Sequence, residues 1–221
     1  MKNKKLIVYG HGKFAEYVRY VFTHDSDYDV IGFCLESTYL AKLNMVEGEN
    51  EIINFDNLEE NYNPDQYDLF IAVGNDKIRE RLFLSGKKKG FLMANYISTK
   101  AILWENLSFG QNVFISEDSA IQPFVKIGDN TTIIGAKIGH HSTIGANSLL
   151  STSVIGANVK IGNNCFVGIN SSVKTDVEIG DRNIIGMGSI ITKNTGEFEV
   201  FTTPAAIKRN VTYNDISDKY L

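Results

Sequence analysis

Cysteine is nearly absent: Cys34 and Cys165 are the only two in 221 residues, too few and too far apart for a disulfide framework. Reduced thiols, with no charged leader before a removable apolar segment, predict a cytoplasmic protein. Long hydrophobic runs are missing too. The apolar clusters are broken by Gly, Asp or Lys within a few positions, well short of the roughly 18 residues a spanning helix needs. Nor is there a basic excess. A formal net charge of −4 and a pI near 5.6 offer little to offset a phosphate backbone, so neither nucleic acid nor membrane is expected as a partner. Histidine is scarce as well, with four in the chain, yet two stand side by side at His140 and His141.

What the sequence has instead is a repeat. From Phe109 to Gly196 it divides into 15 short windows led by a large apolar residue, nine of them with Gly second, where ordinary Gly usage of about 7% would place roughly one. The fifth residues of the complete windows, among them Val113, Ser119, Val125, Ser142, Val159 and Cys165, are all small or modest in volume. A narrow three-sided coil demands this: the leading aliphatic fills a corner, the fifth side chain packs beside it, and Gly eases the chain round the turn. The pattern resembles the hexapeptide-repeat, left-handed parallel β-helix, in which three windows make a coil; about five coils are expected.

In the window Ile138-Gly-His-His-Ser-Thr, Ile138 and Ser142 take the inward places, so His140 and His141 face out of the prism. The two five-residue windows, IIGAK and LSTSV, bracket this region and are expected to change the corners locally, opening a cleft or fitting a neighbouring subunit. Apolar outward residues such as Leu149 and Ile169 give the prism a reason to associate.

Before the repeat, the runs Lys5–Tyr9, Asp29–Phe33 and Leu69–Val73 alternate with segments long enough for helices, a strand-helix-strand rhythm. The predicted class is an α/β half-Rossmann (βαβαβ) domain followed by the β-helix. The expected divisions are 1–80 for the nucleotide-binding part, 81–108 for a connecting segment, 109–200 for the β-helix and 201–221 for a tail. The first strand runs into Gly10-His11-Gly12-Lys13-Phe14-Ala15, a G-x-G-x-x-A turn leading into a helix. Such a turn either brings backbone amides to a phosphate or serves only helix–strand packing. Glu36, about 20 residues on, is placed to accept ribose hydroxyls. Gly74-Asn75-Asp76 is a second strand-to-helix turn, open to reading as another wall of the same cleft or as a helix cap. One half-unit suits a nucleotide joined to something small better than a dinucleotide.

Imidazole, with an ordinary pKa of about 6.5, takes and returns protons near neutrality. An amine or hydroxyl attacking a thioester needs such a base, with backbone amides to hold the developing oxyanion. The two-part arrangement, the G-x-G and GND turns, the IGHHSTIG window, the stretch Asn158–Ser171 and the closing Pro204-Ala together resemble a family of bacterial sugar acyltransferases. That family is grouped with the sialic acid O-acetyltransferases and includes the bacillosamine and perosamine N-acetyltransferases. The resemblance implies acetyl-CoA as cosubstrate, a nucleotide-linked amino sugar of the kind used for surface glycans as acceptor, and a homotrimer with acetyl-CoA between subunits. By the same resemblance His140 is the general base, His141 stands where relatives carry a Glu, and Leu149 where they carry a second His. Ala157, Ile169 and Met187 fall near the pantetheine arm, and Pro204, Lys208 and Arg209 near the adenine and its phosphates. An O-acetyltransferase and a noncatalytic nucleotide-sugar-binding trimer are the alternatives. Zinc, which related β-helix enzymes hold with three histidines, is not expected, because the repeat offers two, adjacent.

Overall fold

Alternation decides the first layer. In Lys4–Tyr9 (β1), Leu6 and Val8 join the packing on one side of a sheet and Ile7 and Tyr9 that on the other, all four buried. Burial on both sides is what a parallel strand covered by helices requires. The computed structural model describes residues 4–42 and 52–212. After β1 the chain runs through α1 (Lys13–His24), β2 (Tyr28–Leu35), α2 (Ser37–Leu40), β3 (Ile53–Asn54), α3 (Leu58–Asn61), β4 (Tyr67–Ile71) and α4 (Asp76–Lys88). The four strands are parallel, in the order β3-β2-β1-β4. Helix α1 lays Ala15, Val18 and Phe22 on the Leu6 side, and α4 lays Leu82 and Phe83 on the Ile7 side. This is the half-Rossmann unit, with one strand beyond the three apolar runs. Two residues of β3 are too few to show a period in the sequence.

From Tyr96 the chain coils. Short strands stack into three parallel sheets: a first face of seven strands from Tyr96–Ile97 to Val200–Phe201, a second of five from Ala120–Ile121 to Ile190–Ile191, and a third of five from Ser108–Phe109 to Glu178–Ile179. The result is the left-handed parallel β-helix. The fifth residues of the six-residue windows are buried from Val113 to Ser189, and the leading aliphatics Ile121, Ile138, Ile155 and Val173 fill the interior beside them.

The edges of the prism are made by a backbone twist rather than by the glycines. In the six-residue windows from Asn112 to Gly188 the fourth residue carries the positive φ, and Asn stands there at six positions, from Asn112 to Asn170; Asn tolerates this left-handed conformation better than most other side chains. The second-place glycines answer a different demand. A Cβ on Gly139 would lie 2.5 Å from the backbone nitrogen of Ala157 in the next coil, so at this position the two coils approach as they do only because the atom is missing. The two shortened windows put Gly135 (φ 56°) and Thr152 (φ 44°) in successive coils on the first–second edge. The histidine pair lies between Lys137–Ile138 of the second face and Thr143–Ile144 of the third. The shortened corners are therefore on another edge than the pair.

The repeat begins earlier than its sequence pattern. Tyr96–Ile97, the bridge between Ile102 and Ala120, and Ser108–Phe109 form a first coil inside the segment expected to be a connector. The expected boundary at 80 falls within α4, and a bridge from Leu69 to Met93 ties the following residues to the first sheet. The last strand reaches Phe201. Residues 213–221 of the expected tail lie outside the described residues.

Candidate active site

The sheet order reverses between β2-β1 and β1-β4, so a crevice forms outside the carboxyl ends of β1 and β4, where parallel α/β sheets bind ligands. A cavity of about 440 Å³ opens there. Gly10, His11, Gly12 and Lys13 line it from the β1 side, Gly74 from the β4 side, and Leu35 and Tyr39 from beyond β2. The glycines differ in kind. Gly10 sits at φ +130°, and a Cβ there would lie 2.8 Å from the carbonyl oxygen of Ala72, so packing alone demands it. Around Gly12 and Gly74 an added Cβ would meet nothing within 4 Å. Their lack of a side chain keeps the cavity open instead. Gly12 caps α1 without any side-chain hydrogen bond, leaving the first amides of a helix turned to that space.

Glu36 is held rather than free. Its carboxylate accepts from Arg81 at 2.5 and 2.9 Å and from the Tyr9 hydroxyl at 3.3 Å. The Arg81 hydrogen bonds hold its carboxyl below the usual range, outweighing the opposing effect of burial. The residue expected to read a ribose is thus part of a fork that ties the end of β2 to α4. Asn75 accepts from the Ile78 amide at 3.0 Å and caps α4. With Gly74 and Asp76 it lines a second cleft of about 200 Å³ against Leu149, Phe166 and Ile184 of the first face.

Sequence reasoning missed Arg79. It is 1% exposed and lies at the junction of the two parts. Its guanidinium donates to the carbonyls of Val73 and Gly74 on one side, and of Asn130 and Asn147 on the other. Burial pulls its pKa down to about 10, which leaves it charged at neutral pH. The GND turn is therefore bolted to the prism through its own backbone. Asn112, Asn130 and Asn147 continue the junction as a side-chain ladder, and Asn112 also pairs with Ile71 of β4 in both directions. The signal that could have found the ladder is the same residue type recurring at a spacing of 17 or 18.

His140 and His141 are exposed on the second–third edge. His141 takes the positive-φ place of its window, at φ 60°. Its amide donates to the Pro123 carbonyl at 3.1 Å, the His140 amide donates to Gln122 Oε1 at 3.0 Å, and the Asn158 amide donates to the His140 carbonyl at 2.8 Å. The two rings meet Nδ1 to Nδ1 at 3.0 Å, and His141 leans on Phe124 with centroids 4.7 Å apart. Ala157 lies in the coil directly below the pair. Ile169 and Met187 are exposed neighbours in successive coils of the first–second edge, linked by a bond from the Gly188 amide to the Ile169 carbonyl. Pro204, Lys208 and Arg209 are exposed beyond the last coil. Within one chain, then, the crevice residues come together, as do His140, His141 and Ala157, and separately Ile169 and Met187. The crevice and the histidines do not: the N-terminal part docks on the third–first edge through the Asn ladder, and the pair is on a different edge.

Among the described residues, no group of three or more His, Cys, Asp or Glu stands close enough to hold a metal, and no helix is long and apolar enough to cross a membrane. Both cysteines are buried and unpaired.

Residues 5–85 match the family described as the PglD N-terminal domain, and residues 158–193 match the bacterial transferase hexapeptide (six repeats). Among curated proteins, the bifunctional protein GlmU of Desulfitobacterium hafniense is 26% identical over 124 residues, covering 48% of this chain. GlmU of Wolbachia pipientis wMel is 31% identical over 119 residues, covering 39%. The match spans 27% of the length of each of these relatives. Solved structures resemble the whole arrangement. The acetyltransferase domain of PglB from Neisseria gonorrhoeae superposes with a TM-score of 0.80 at 22% identity, covering 90% of this chain and 96% of that one. Perosamine N-acetyltransferase from Caulobacter crescentus, in a histidine-to-asparagine variant bound to CoA and GDP-perosamine, gives 0.77 at 22%, covering 93% and 97%. WeeI from Acinetobacter baumannii gives 0.74 at 19%, covering 89% and 95%. The chain thus carries, in order, a segment similar to the PglD N-terminal domain and one similar to the hexapeptide repeats of bacterial transferases, in a fold it shares with these acetyltransferases.

Proposed function

We propose that the protein is an acetyl-CoA-dependent N-acetyltransferase acting on the amino group of a nucleotide-linked amino-deoxy sugar, with His140 as general base. The observation that carries this reading is the pairing, in one chain, of an open crevice of about 440 Å³ at Gly12 and Gly74 with an exposed, backbone-fixed histidine on a β-helix edge. The fold shared with an enzyme bound to CoA and GDP-perosamine supports it, as do the structures of that enzyme with a histidine replaced.

The residues suit both ligands. Amides at the start of α1 suit a diphosphate. Ile169 and Met187 offer an exposed apolar strip to a pantetheine arm. Acetyl-CoA would supply the acetyl group as a thioester. His140 would take the proton from the sugar's amine as the carbon–nitrogen bond forms, then return it to the leaving sulfur as the carbon–sulfur bond breaks.

Because the crevice and the histidine lie on different edges of one prism, the reading includes a homotrimer, in which the base of one subunit serves the sugar held by another. Of the outward residues of the second face, Ala120, Lys137, Val154, Ser172 and Ile190, three are apolar, whereas Lys126, Thr143, Lys160 and Glu178 of the third are polar or charged. An apolar face needs cover, and a closed ring supplies it. The test is incubation with acetyl-CoA and a panel of nucleotide-linked 3-amino and 4-amino sugars, read by mass. One acetylated amine identifies the substrate. Acetylation of a hydroxyl, or of nothing while CoA still binds, replaces the reading.

A further inference from the structure

We propose that His141 is the positioning residue for His140: the two rings form a hydrogen-bonded pair in which His140 donates from Nδ1 and His141 accepts at Nδ1. The inference rests on reading His140 as the base and says what orients it.

The geometry carries it. The two Nδ1 atoms are 3.0 Å apart and the rings stand at 88° to one another. Both backbones are fixed by neighbouring coils, through Gln122 and Pro123 above and Asn158 below. Phe124 supports the His141 ring from the coil above. The edge itself does not ask for imidazole, since Phe124, Asn158 and Asp176 fill its equivalent positive-φ places in other coils. A histidine here needs another reason.

Proton counting supplies one. A neutral imidazole carries a single N–H, so a bond between two Nδ1 atoms needs one ring protonated there and the other bare. If His141 donated, His140 would keep its proton at Nε2 and have no base to offer. If His140 donates, its Nε2 is bare and free to accept, and His141 carries its own proton at Nε2. When His140 takes a proton, its Nδ1–H goes on donating to His141, now as a charge-assisted bond. A second added proton would set N–H against N–H. The hydrogen bond between the rings thus survives the transfer, with a neutral acceptor in the role that a carboxylate could otherwise fill.

Long-range ¹H–¹⁵N spectra of the full chain labelled with ¹⁵N-histidine test the pair without turnover, and only four histidines contribute. We expect His140 as the Nδ1–H form, His141 as the Nε2–H form, and a scalar coupling between their Nδ1 atoms. His140 found as the Nε2–H form, or no coupling, overturns the proposal. Kinetics give the second arm. His141→Phe, a residue the same edge already accepts at Phe124, should lower kcat about 10- to 100-fold, with KM for acetyl-CoA and the melting midpoint unchanged. His141→Asn, whose side-chain oxygen can accept from His140, should recover most of that loss. Full kcat in the Phe variant, or equal loss in both, sinks the assignment. If the wild-type protein acetylates none of the amino sugars, the proposed function falls, and the spectra still decide the pairing.

Discussion

His140 reaches solvent from a backbone held by the coils on either side, so its ring can be removed without disturbing the core. His140→Asn should therefore fold and bind acetyl-CoA as before while kcat falls about 10² to 10⁴-fold, the usual worth of a general base; steady-state kinetics on the acetylated sugar would read it. Glu36 makes a prediction about pH. Its carboxyl titrates lower when folded, so the fork with Arg81 contributes fully above the ordinary value of 4.5 and is lost as pH falls below it toward the folded value. Unfolding midpoints should drop over that acid range in the wild type, and Glu36→Gln should show a shallower drop. Inside the prism, hydroxyls differ by their partners. Ser148 donates to the Gly162 carbonyl, while Ser153 has no hydrogen-bond partner for its buried oxygen. Ser148→Ala should lose about 1 kcal/mol of stability and Ser153→Ala none, in denaturant titrations.

At the scale of elements, the stacking of coils through Gly139 has a clear price in space. Gly139→Ala puts a methyl 2.5 Å from the Ala157 nitrogen, and the resulting shift should destabilise by about 1–3 kcal/mol, displacing His140 with it. Arg79 joins the elements rather than the coils. Arg79→Met would leave the Val73, Gly74, Asn130 and Asn147 carbonyls without their donor; a loss of about 3 kcal/mol follows, since breaking buried charged bonds is expensive. Equal stability by denaturant unfolding would remove Arg79 from the junction. These elements also mark where the sequence stopped being readable. The inward and outward places were legible because each window repeats the same volume demand. The first coil was not, because residues 98–107 carry no Gly and only one Asn, Asn106. Arg79 could not be read at all: in sequence it is one cation on a charged helix, and only four carbonyls brought from distant segments make its burial possible. Glu36 was legible as a residue at the end of β2, but its partner came from 45 positions away.

The whole molecule divides its surface by chemistry. The third face of the prism is polar and charged, the second more apolar, and the N-terminal part covers the upper coils of the first face through Tyr96 and Phe114. If the second face closes the trimer, Val154→Glu, at a site 52% exposed in the single chain, should shift sedimentation from trimer toward monomer. Acetylation should fall with it, and Lys160→Glu on the charged face should do neither.

The junction at Arg79 and the Asn ladder has a consequence for how the molecule opens. Coil stacks by contacts 17 or 18 residues apart however long the chain grows, so the prism can lose order one layer at a time, like a zipper. The clamp grips only the upper layers, so fraying should start at Val200–Phe201 and climb toward Tyr96. Amide hydrogen exchange would then be graded along the axis, quickest at the layers of Met187 and Thr203 and slowest beneath the clamp. The strip assigned to the pantetheine arm lies in the layers that open most readily, which makes it the part of the molecule where a bound cosubstrate would slow exchange most.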